Sequence, residues 1–421
     1  MTRAKIFYGY YLAGLAFVLG FVSGAIYLYS RGVFVRDQIA EFDASRTEIS
    51  LVFTTVSIVS ACFAPFLGYL LDRFPIRYVM ASGAVLVSCG FVFLSQVSSL
   101  WQFAAVAGVF MGFGLASIGT TSNTKLMVNW FDRRRGFALG VAIMGYSVAG
   151  AVMAPIALWM LDTLGWRTSY LVFAGVVFGA VLPAIVFLVK QGPSAVGLGM
   201  DGDEPTHAPP EVSASTPNTS RREAFVQQLQ VYLGFVRSVP FWGVVFTFGL
   251  LAGTFGGFNV HMFLYYTELG IEPYQATYII AFASVVAIAS KPLFGVLIDY
   301  VNPRLATMVS CLCCLAAMLC YLSFTTFWPL LLASMFFGLG FGGMVPVRAA
   351  IISRLFGTEQ YARAFGSLRL CMFPLTVSWM PLIGYIYDTN GTYLPAFQLF
   401  AVLFTLAAAV AYFLIPTRFS E

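Results

Sequence analysis

The chain has 421 residues, of which 59% are hydrophobic and only 10% charged, with a mean hydropathy of +0.84. A soluble domain carries roughly 25% charged residues, so this composition excludes a water-soluble globular protein and requires an outer surface that faces lipid. The net charge of +5 does not mark a nucleic-acid partner, because Arg and Lys gather in alternate loops between apolar runs, which is a membrane-topology pattern.

In chain order, the first apolar span runs from about Tyr8 to Phe34. The second covers about Ser45 to Leu71, with Ser45-Arg46-Thr47-Glu48 reading as a capping box at its start. The third runs from about Tyr78 to Val97 and the fourth from Trp101 to Trp130. After the basic loop Asp132-Arg133-Arg134-Arg135 comes a fifth span, Gly136 to about Leu161. Its Gly140, Gly145, Gly150 and Pro155 favour close backbone approach. The sixth ends near Lys190. No cleavable leader is expected, since Ala4 to Phe34 is too long and no small-residue cleavage site follows it.

Residues 191–238 break the pattern. Pro193, Pro205, Pro209, Pro210 and Pro217 stand among Gly, Ser, Thr and acids, so Gln191 to Arg222 is expected to be a flexible linker. Arg221 to Arg237 reads as a short amphipathic helix on the membrane surface. Six further spans follow, at about Pro240–Tyr266, Glu272–Ile298, Leu305–Phe324, Phe327–Leu355, Ala362–Tyr387 and Tyr393–Ile415. The fold class is therefore all-α and membrane-embedded. Twelve helices fall in two six-helix halves, 1–190 and 239–421, joined by the linker.

The halves are homologous. Gly68-Tyr69-Leu70-Leu71-Asp72-Arg73-Phe74-Pro75-Ile76-Arg77 recurs as Gly295-Val296-Leu297-Ile298-Asp299-Tyr300-Val301-Asn302-Pro303-Arg304. Gly112-Phe113-Gly114 answers Gly338-Leu339-Gly340, and Asp162-Thr163-Leu164-Gly165 answers Asp388-Thr389-Asn390-Gly391. An even number of spans puts both termini and the linker on one side. Outside the spans, Lys and Arg crowd that side and leave only Arg36, Arg46 and Arg167 on the other, so the termini are expected to be cytoplasmic. The seven cysteines all lie in apolar runs and read as packing residues. With His207 and His261 the only histidines, neither a metal centre nor another cofactor is expected.

The repeated loop, a Gly followed four residues on by an Asp and five residues after that by an Arg, between two membrane helices, resembles the signature of the major facilitator superfamily of secondary transporters. A narrower resemblance, over nearly the whole chain, is to the monocarboxylate-porter family and its bacterial relatives. It is carried by Tyr8-Gly9-Tyr10-Tyr11, by Tyr29-Ser30-Arg31-Gly32-Val33-Phe34 and by Trp130-Phe131-Asp132-Arg133-Arg134-Arg135-Gly136. Pro193-Ser194-Ala195-Val196-Gly197-Leu198 and Arg354-Leu355-Phe356-Gly357 extend it. This implies organic-anion transport, often of monocarboxylates with a proton, by a monomer in the bacterial inner membrane. It also implies that Lys291, followed by Pro292, binds the carboxylate. Eukaryotic members place an Asp one turn before that cation, where this chain has Ala287. In the loop motifs, Gly68, Asp72, Arg73 and Arg77, with Gly295, Asp299 and Arg304, would form conformational latches. The resemblance gives Asp72 the N-terminus of the eleventh helix and local Arg as partners.

The residues themselves point the same way. Arg31, Lys125, Lys291, Arg348 and Arg369 fall inside predicted spans that contain no deep carboxylate. A cation at mid-bilayer costs ~2.5–3.5 kcal/mol on insertion scales, so each must face a wet cavity or reach an interface or a backbone carbonyl. An anionic substrate would compensate the first kind. Ser23, Tyr27, Ser30 and Arg31 share one side of the first helix by i, i+4 spacing, as do Ser117, Thr121, Thr124 and Lys125 on the fourth. Asn259, Met262 and Tyr266 form one stripe on the seventh, and His261, Tyr265 and Glu268 another, with Tyr265 and Tyr266 expected in the interfacial aromatic belt. The expected substrate set is Lys291, Arg31, Tyr27, Arg348, Asn259 and Thr121, with His261 as a candidate proton site. No G-x-x-x-x-G-K-[ST] motif occurs, so ATP does not drive this chain. Dicarboxylate–monocarboxylate exchange, aromatic-acid transport and a transporter-like sensor are the alternatives. An enzyme is disfavoured, because no His or Cys constellation exists for catalysis.

Overall fold

The computed structural model describes residues 7–202 and 234–415; the side chains of Asp299 and of residues 358–363 lie outside the description. Eleven helical stretches among the described residues are long and apolar enough to cross a membrane. One of them, Arg135–Leu188, is broken at Gly165 (φ 72°, ψ 163°), a conformation that no continuous helix holds. Twelve spans result. The first half has α1 (Tyr8–Phe42), α2 (Arg46–Arg73), α3 (Ile76–Leu94), α4 (Leu100–Trp130), α5 (135–164) and α6 (166–188). The second has α7 (Val239–Glu268), α8 (Pro273–Tyr300), α9 (Pro303–Ser323), α10 (Phe327–Gly357), α11 (Ala364–Asn390) and α12 (Leu394–Leu414). Below, the linker face is the side of the helices on which Gln191 lies and the far face is its opposite.

The repeat seen in the sequence is also a repeat of contacts. A Cβ on Gly114 would meet Val87 Cγ2 at 2.7 Å and the Gly83 carbonyl at 3.0 Å; one on Gly340 would meet Cys314 Sγ at 2.5 Å and the Ser310 carbonyl at 2.6 Å. These are matching positions of the two halves, so the α3–α4 and α9–α10 crossings both depend on a glycine that lets backbones touch. Arg77 donates to the Val186 carbonyl of α6 at 3.2 Å, and Arg304 stacks on Tyr412 of α12 at 4.0 Å. The loop-motif arginines thus tie equivalent helix pairs. Pro65 and Pro292 occupy equivalent places inside α2 and α8.

The two repeated Asp-Thr-x-Gly stretches end α5 and α11, and Gly165 and Gly391 both adopt positive φ, 72° and 68°. A β-carbon there would be strained, which explains a glycine at both. Arg167, just past the first, donates to Glu41 at the end of α1 and to the Ser95 and Val97 carbonyls after α3.

Four expectations need correction. α1 continues past Phe34 to Phe42 and ends at Asp43 in the left-handed region (φ 48°), because a helix can run on beyond the apolar stretch. Tyr265 and Tyr266 are not belt residues: both are buried inside the protein, only 5% and 1% exposed. Residues 191–202 are ordered and not a loose tether. Asp201 (φ 57°) accepts the backbone N–H groups of Asp132, Arg133 and Arg134. Gln191 accepts from the Ile76 N–H, and Trp130 donates to the Lys190 carbonyl. Burial of the Asp201 carboxyl favours its neutral form, but those three N–H bonds and Arg133 outweigh it and hold the group below the usual carboxylate range. The linker thus begins as a strap on the basic α4–α5 loop. His207, Arg221, Arg222 and most of the expected surface helix lie outside the described residues; its last turn, 234–237, is helical. The fourth correction, in α4, bears on the site.

Candidate substrate and gating sites

Contacts divide the described chain into two units. Residues up to 202 group with the far-face segments 259–285 and 380–389; the second unit holds 234–258, 286–379 and 390–415.

Within the first unit, α1 carries a π turn over Gly24–Tyr29. Such a turn adds one residue to the helical repeat and is frequent at functional sites. It rephases the expected Ser23-Tyr27-Ser30-Arg31 stripe. Ser30 spends its hydroxyl on the Ile26 carbonyl at 2.8 Å, and the buried Ser23 hydroxyl has no partner. Tyr27 and Arg31 stay together: the Arg31 guanidinium carbon lies 5.2 Å from the Tyr27 ring centre and 5.3 Å from that of Phe53 on α2. Arg31 is only 4% exposed, its Nε has no hydrogen-bond partner, and no ion pair joins it among the described residues. Its polar neighbour is the Tyr27 hydroxyl. A guanidinium beside two rings with an unpaired Nε–H has the donor chemistry to receive a carboxylate. Gly32 brings α7 against α1: a Cβ there would overlap the Asn259 carbonyl, so Asn259 sits beside the residue that follows Arg31.

Lys125 is placed differently. It forms an ion pair with Asp72, which is otherwise largely exposed. The sequence treated Lys125 as a cation without an acid, since Asp72 lies on another helix. The α4 stripe also fails. Gly119 takes an extended conformation (φ −82°, ψ −155°) and splits α4 into Gly112–Ile118 and Thr120–Trp130. Ser117, bonded to the Phe113 carbonyl, and the exposed Thr121 therefore do not share one straight helix face.

In the second unit, Lys291 is half-buried on α8, one residue before Pro292. One turn earlier, α10 presses on Ala287: a Cβ on Gly342 would meet the Ala287 carbonyl at 2.6 Å. Arg348 lies over the Phe365 ring at 5.3 Å. Arg369 is exposed, as a snorkelling cation would be.

On the far face of the first unit is a polar network in which the sequence assigned a site role only to His261. Asp388 Oδ1 accepts the Arg46 N–H at 3.1 Å; its Oδ2 accepts the Thr47 N–H at 2.9 Å and the Thr47 hydroxyl at 2.5 Å. Arg46 forms an ion pair with Glu268 and stacks on Tyr387, whose hydroxyl donates to Glu268. One turn deeper, the Ser50 hydroxyl donates to the Arg46 carbonyl at 2.6 Å. The buried His261 Nε2 lies 3.1 Å from both the Ser50 oxygen and the Met380 carbonyl, so that nitrogen carries the proton it shares with them. His261 thus sits among α2, α7 and α11 and not at the rim.

A sequence profile of the Major Facilitator Superfamily matches residues 6–327 and 267–421. The chain belongs to the major facilitator superfamily. Human monocarboxylate transporter 2 is 24% identical over 399 residues, covering 92% of this chain and 81% of that one. Human monocarboxylate transporter 11 is 26% identical, covering 93% and 80%. Among solved structures, a bacterial homologue of the human lysosomal transporter Spinster, inward-facing and occupied, superposes with a TM-score of 0.74 at 14% identity over 99% of this chain and 98% of that one. That likeness shows the fold. The chain is accordingly a multi-pass membrane transporter of this superfamily, and not an enzyme.

We propose that the loop motif acts in the exchange of conformations. Asp72 ends α2, where the helix dipole disfavours an anion, and Lys125 compensates it on the same side of the membrane. Asp72→Asn should slow flux about 5-fold or more while changing substrate affinity little, since it shifts conformers without touching substrate. Equal losses of affinity and flux would remove the latch role. Asp299→Asn should be milder.

Proposed function

We propose that this superfamily member is a secondary carrier of small organic anions, with monocarboxylates as the primary class, working by alternating access in a bacterial inner membrane with termini and linker cytoplasmic. The observation that carries the reading is Arg31. It is a buried guanidinium beside the Tyr27 and Phe53 rings, with an unpaired Nε and no ion pair among the described residues. A cation so placed costs several kcal/mol unless something anionic joins it, and a carboxylate does so with two acceptor oxygens. The monocarboxylate transporters among its relatives support the same class. Lys291 is assigned the second cationic role by its place before Pro292.

A thermal-shift screen of organic acids on the purified protein tests the substrate class. Ligand at 100 times its dissociation constant stabilises the folded state by ~2.7 kcal/mol, which is a clear rise in melting temperature. Short monocarboxylates should give it and their amides should not. Stabilisation by neutral solutes alone would contradict the proposal.

Coupling follows from Ala287. The position one turn before Lys291 holds no acid to share a proton with the cation, and α10 packs directly against it. We expect weak proton coupling: vesicles preloaded with an organic anion should take up labelled substrate faster than empty ones under the same pH gradient. Strong uphill uptake into empty vesicles, abolished by a protonophore, would contradict this. His261→Gln would then show whether the proton resides there.

A further inference from the structure

The duplicated Asp-Thr-x-Gly stretches at the ends of α5 and α11 have a role beyond marking the repeat. We propose that Asp388 and Asp162 are paired far-face latches, each closing on the start of a helix from the opposite half, and that Asp388 is the stronger. The proposal rests on the alternating-access reading above.

The α2 start shows how the stronger latch works. A helix N-terminus exposes N–H groups that have no intrahelical acceptor. Here Ser45 takes the Glu48 N–H, and Glu48 in return takes the Ser45 N–H. The Arg46 and Thr47 N–H groups remain, and both go to the Asp388 carboxylate, which also takes the Thr47 hydroxyl. A carboxylate is favoured there by the helix dipole as well. Gly384, one turn earlier on α11, makes this approach possible: a Cβ there would meet the Arg46 carbonyl at 2.6 Å and the Thr47 nitrogen at 2.8 Å.

The other copy repeats the arrangement. Asp162 lies beside the side chain of Tyr274, the second residue of α8. Tyr274 follows Thr47 by 227 residues and Asp388 follows Asp162 by 226, so the two pairs are the same positions of the two halves. The α8 copy is weaker for a stated reason. Pro273 begins that helix and has no N–H to offer, so the Arg46 amide that Asp388 accepts has no counterpart for Asp162. The bonds cost little to exchange for water at an exposed face, which suits a latch that must open in every cycle. The motif complements the Asp72 loop, which lies on the linker face.

The test is far-face accessibility, read without any substrate. In a cysteine-free background, Thr54→Cys on α2 lies two turns below Arg46, and a membrane-impermeant maleimide is added to the far face. Asp388→Asn should speed labelling about 5-fold or more, within the usual size of a conformational coupling. Asp162→Asn should speed it less, and Glu268→Gln less than Asp388→Asn, because Glu268 is partly exposed and the Tyr387 ring still holds Arg46. Gly384→Leu, which wedges α11 off α2 without touching a charge, should act like Asp388→Asn; Thr47→Val should give a smaller change of the same sign and serves if Asp388→Asn does not reach the membrane. Unchanged labelling in Asp388→Asn and Gly384→Leu overturns the proposal, as does a larger effect of Glu268→Gln than of Asp388→Asn. Asp162→Asn at the parent rate overturns the pairing. No outcome depends on which anion is carried, so failure here is distinct from failure of the substrate assignment.

Discussion

Arg31→Ala is expected to abolish organic-acid uptake while leaving the melting temperature equal or higher. The two halves of that result have opposite causes. With substrate bound, removing one partner of a buried, hydrogen-bonded charge pair costs ~2–5 kcal/mol, about 30-fold to several thousand-fold in affinity. Without substrate, the guanidinium is a burden that insertion scales put at ~2.5–3.5 kcal/mol, offset only in part by ring contacts at 5.2 and 5.3 Å from the Tyr27 and Phe53 centres. A residue kept for packing would behave otherwise, since its loss would lower stability and uptake together. Arg31→Lys should recover little, because an ammonium keeps the charge but loses the flat donor group that lies beside two rings. Uptake at the parent rate in Arg31→Ala would remove it from the site, whatever the melting temperature.

The second large effect is expected at Lys291. Lys291→Ala should stop carboxylate uptake with membrane insertion intact, and Lys291→Arg should keep part of it, because the charge survives while reach and donor geometry change. The order is the reverse of that at Arg31, where the planar group is essential. Pro292, directly after Lys291 inside α8, removes one backbone hydrogen bond and loosens the helix locally, so geometry at this position has some latitude. Equal loss in Lys291→Arg and Lys291→Ala would point to a packing role for the stem, and normal transport in Lys291→Ala would end the assignment.

How far the sequence could be read differs by residue. The twelve spans were legible because lipid demands long apolar runs, and the glycines ending α5 and α11 because two identical offsets in two motifs are hard to reach by chance. Arg31 stood out as a cation in an apolar run and is found buried with no ion pair among the described residues. Lys125 carried the same signal and was misleading: its partner Asp72 is 53 residues away on another helix, and a one-dimensional pattern does not pair helices. The Gly119 break was hidden for a related reason. Glycine is frequent in membrane helices, and only the surrounding contacts decide which one lets the chain depart from helical geometry; here that choice took Thr121 out of register with Ser117. Tyr265 and Tyr266 follow the belt rule by position, yet helix packing buries both. Asp388 was visible only as half of a repeat. Its role depends on Ser45 and Glu48 leaving two particular amides of α2 unsatisfied, and that needs coordinates.

The central claim, that this superfamily member moves small monocarboxylates across a membrane, is tested most directly by counterflow. Purified protein in liposomes loaded with unlabelled lactate is diluted into a trace of labelled lactate, with protein-free liposomes and Arg31→Ala as controls. The expected result is transient accumulation of label in vesicles carrying the parent protein, blocked by excess external monocarboxylate, unaffected by the corresponding amide, and absent from both controls. Label entering all three preparations at one rate, across a panel of short monocarboxylates, would contradict the account.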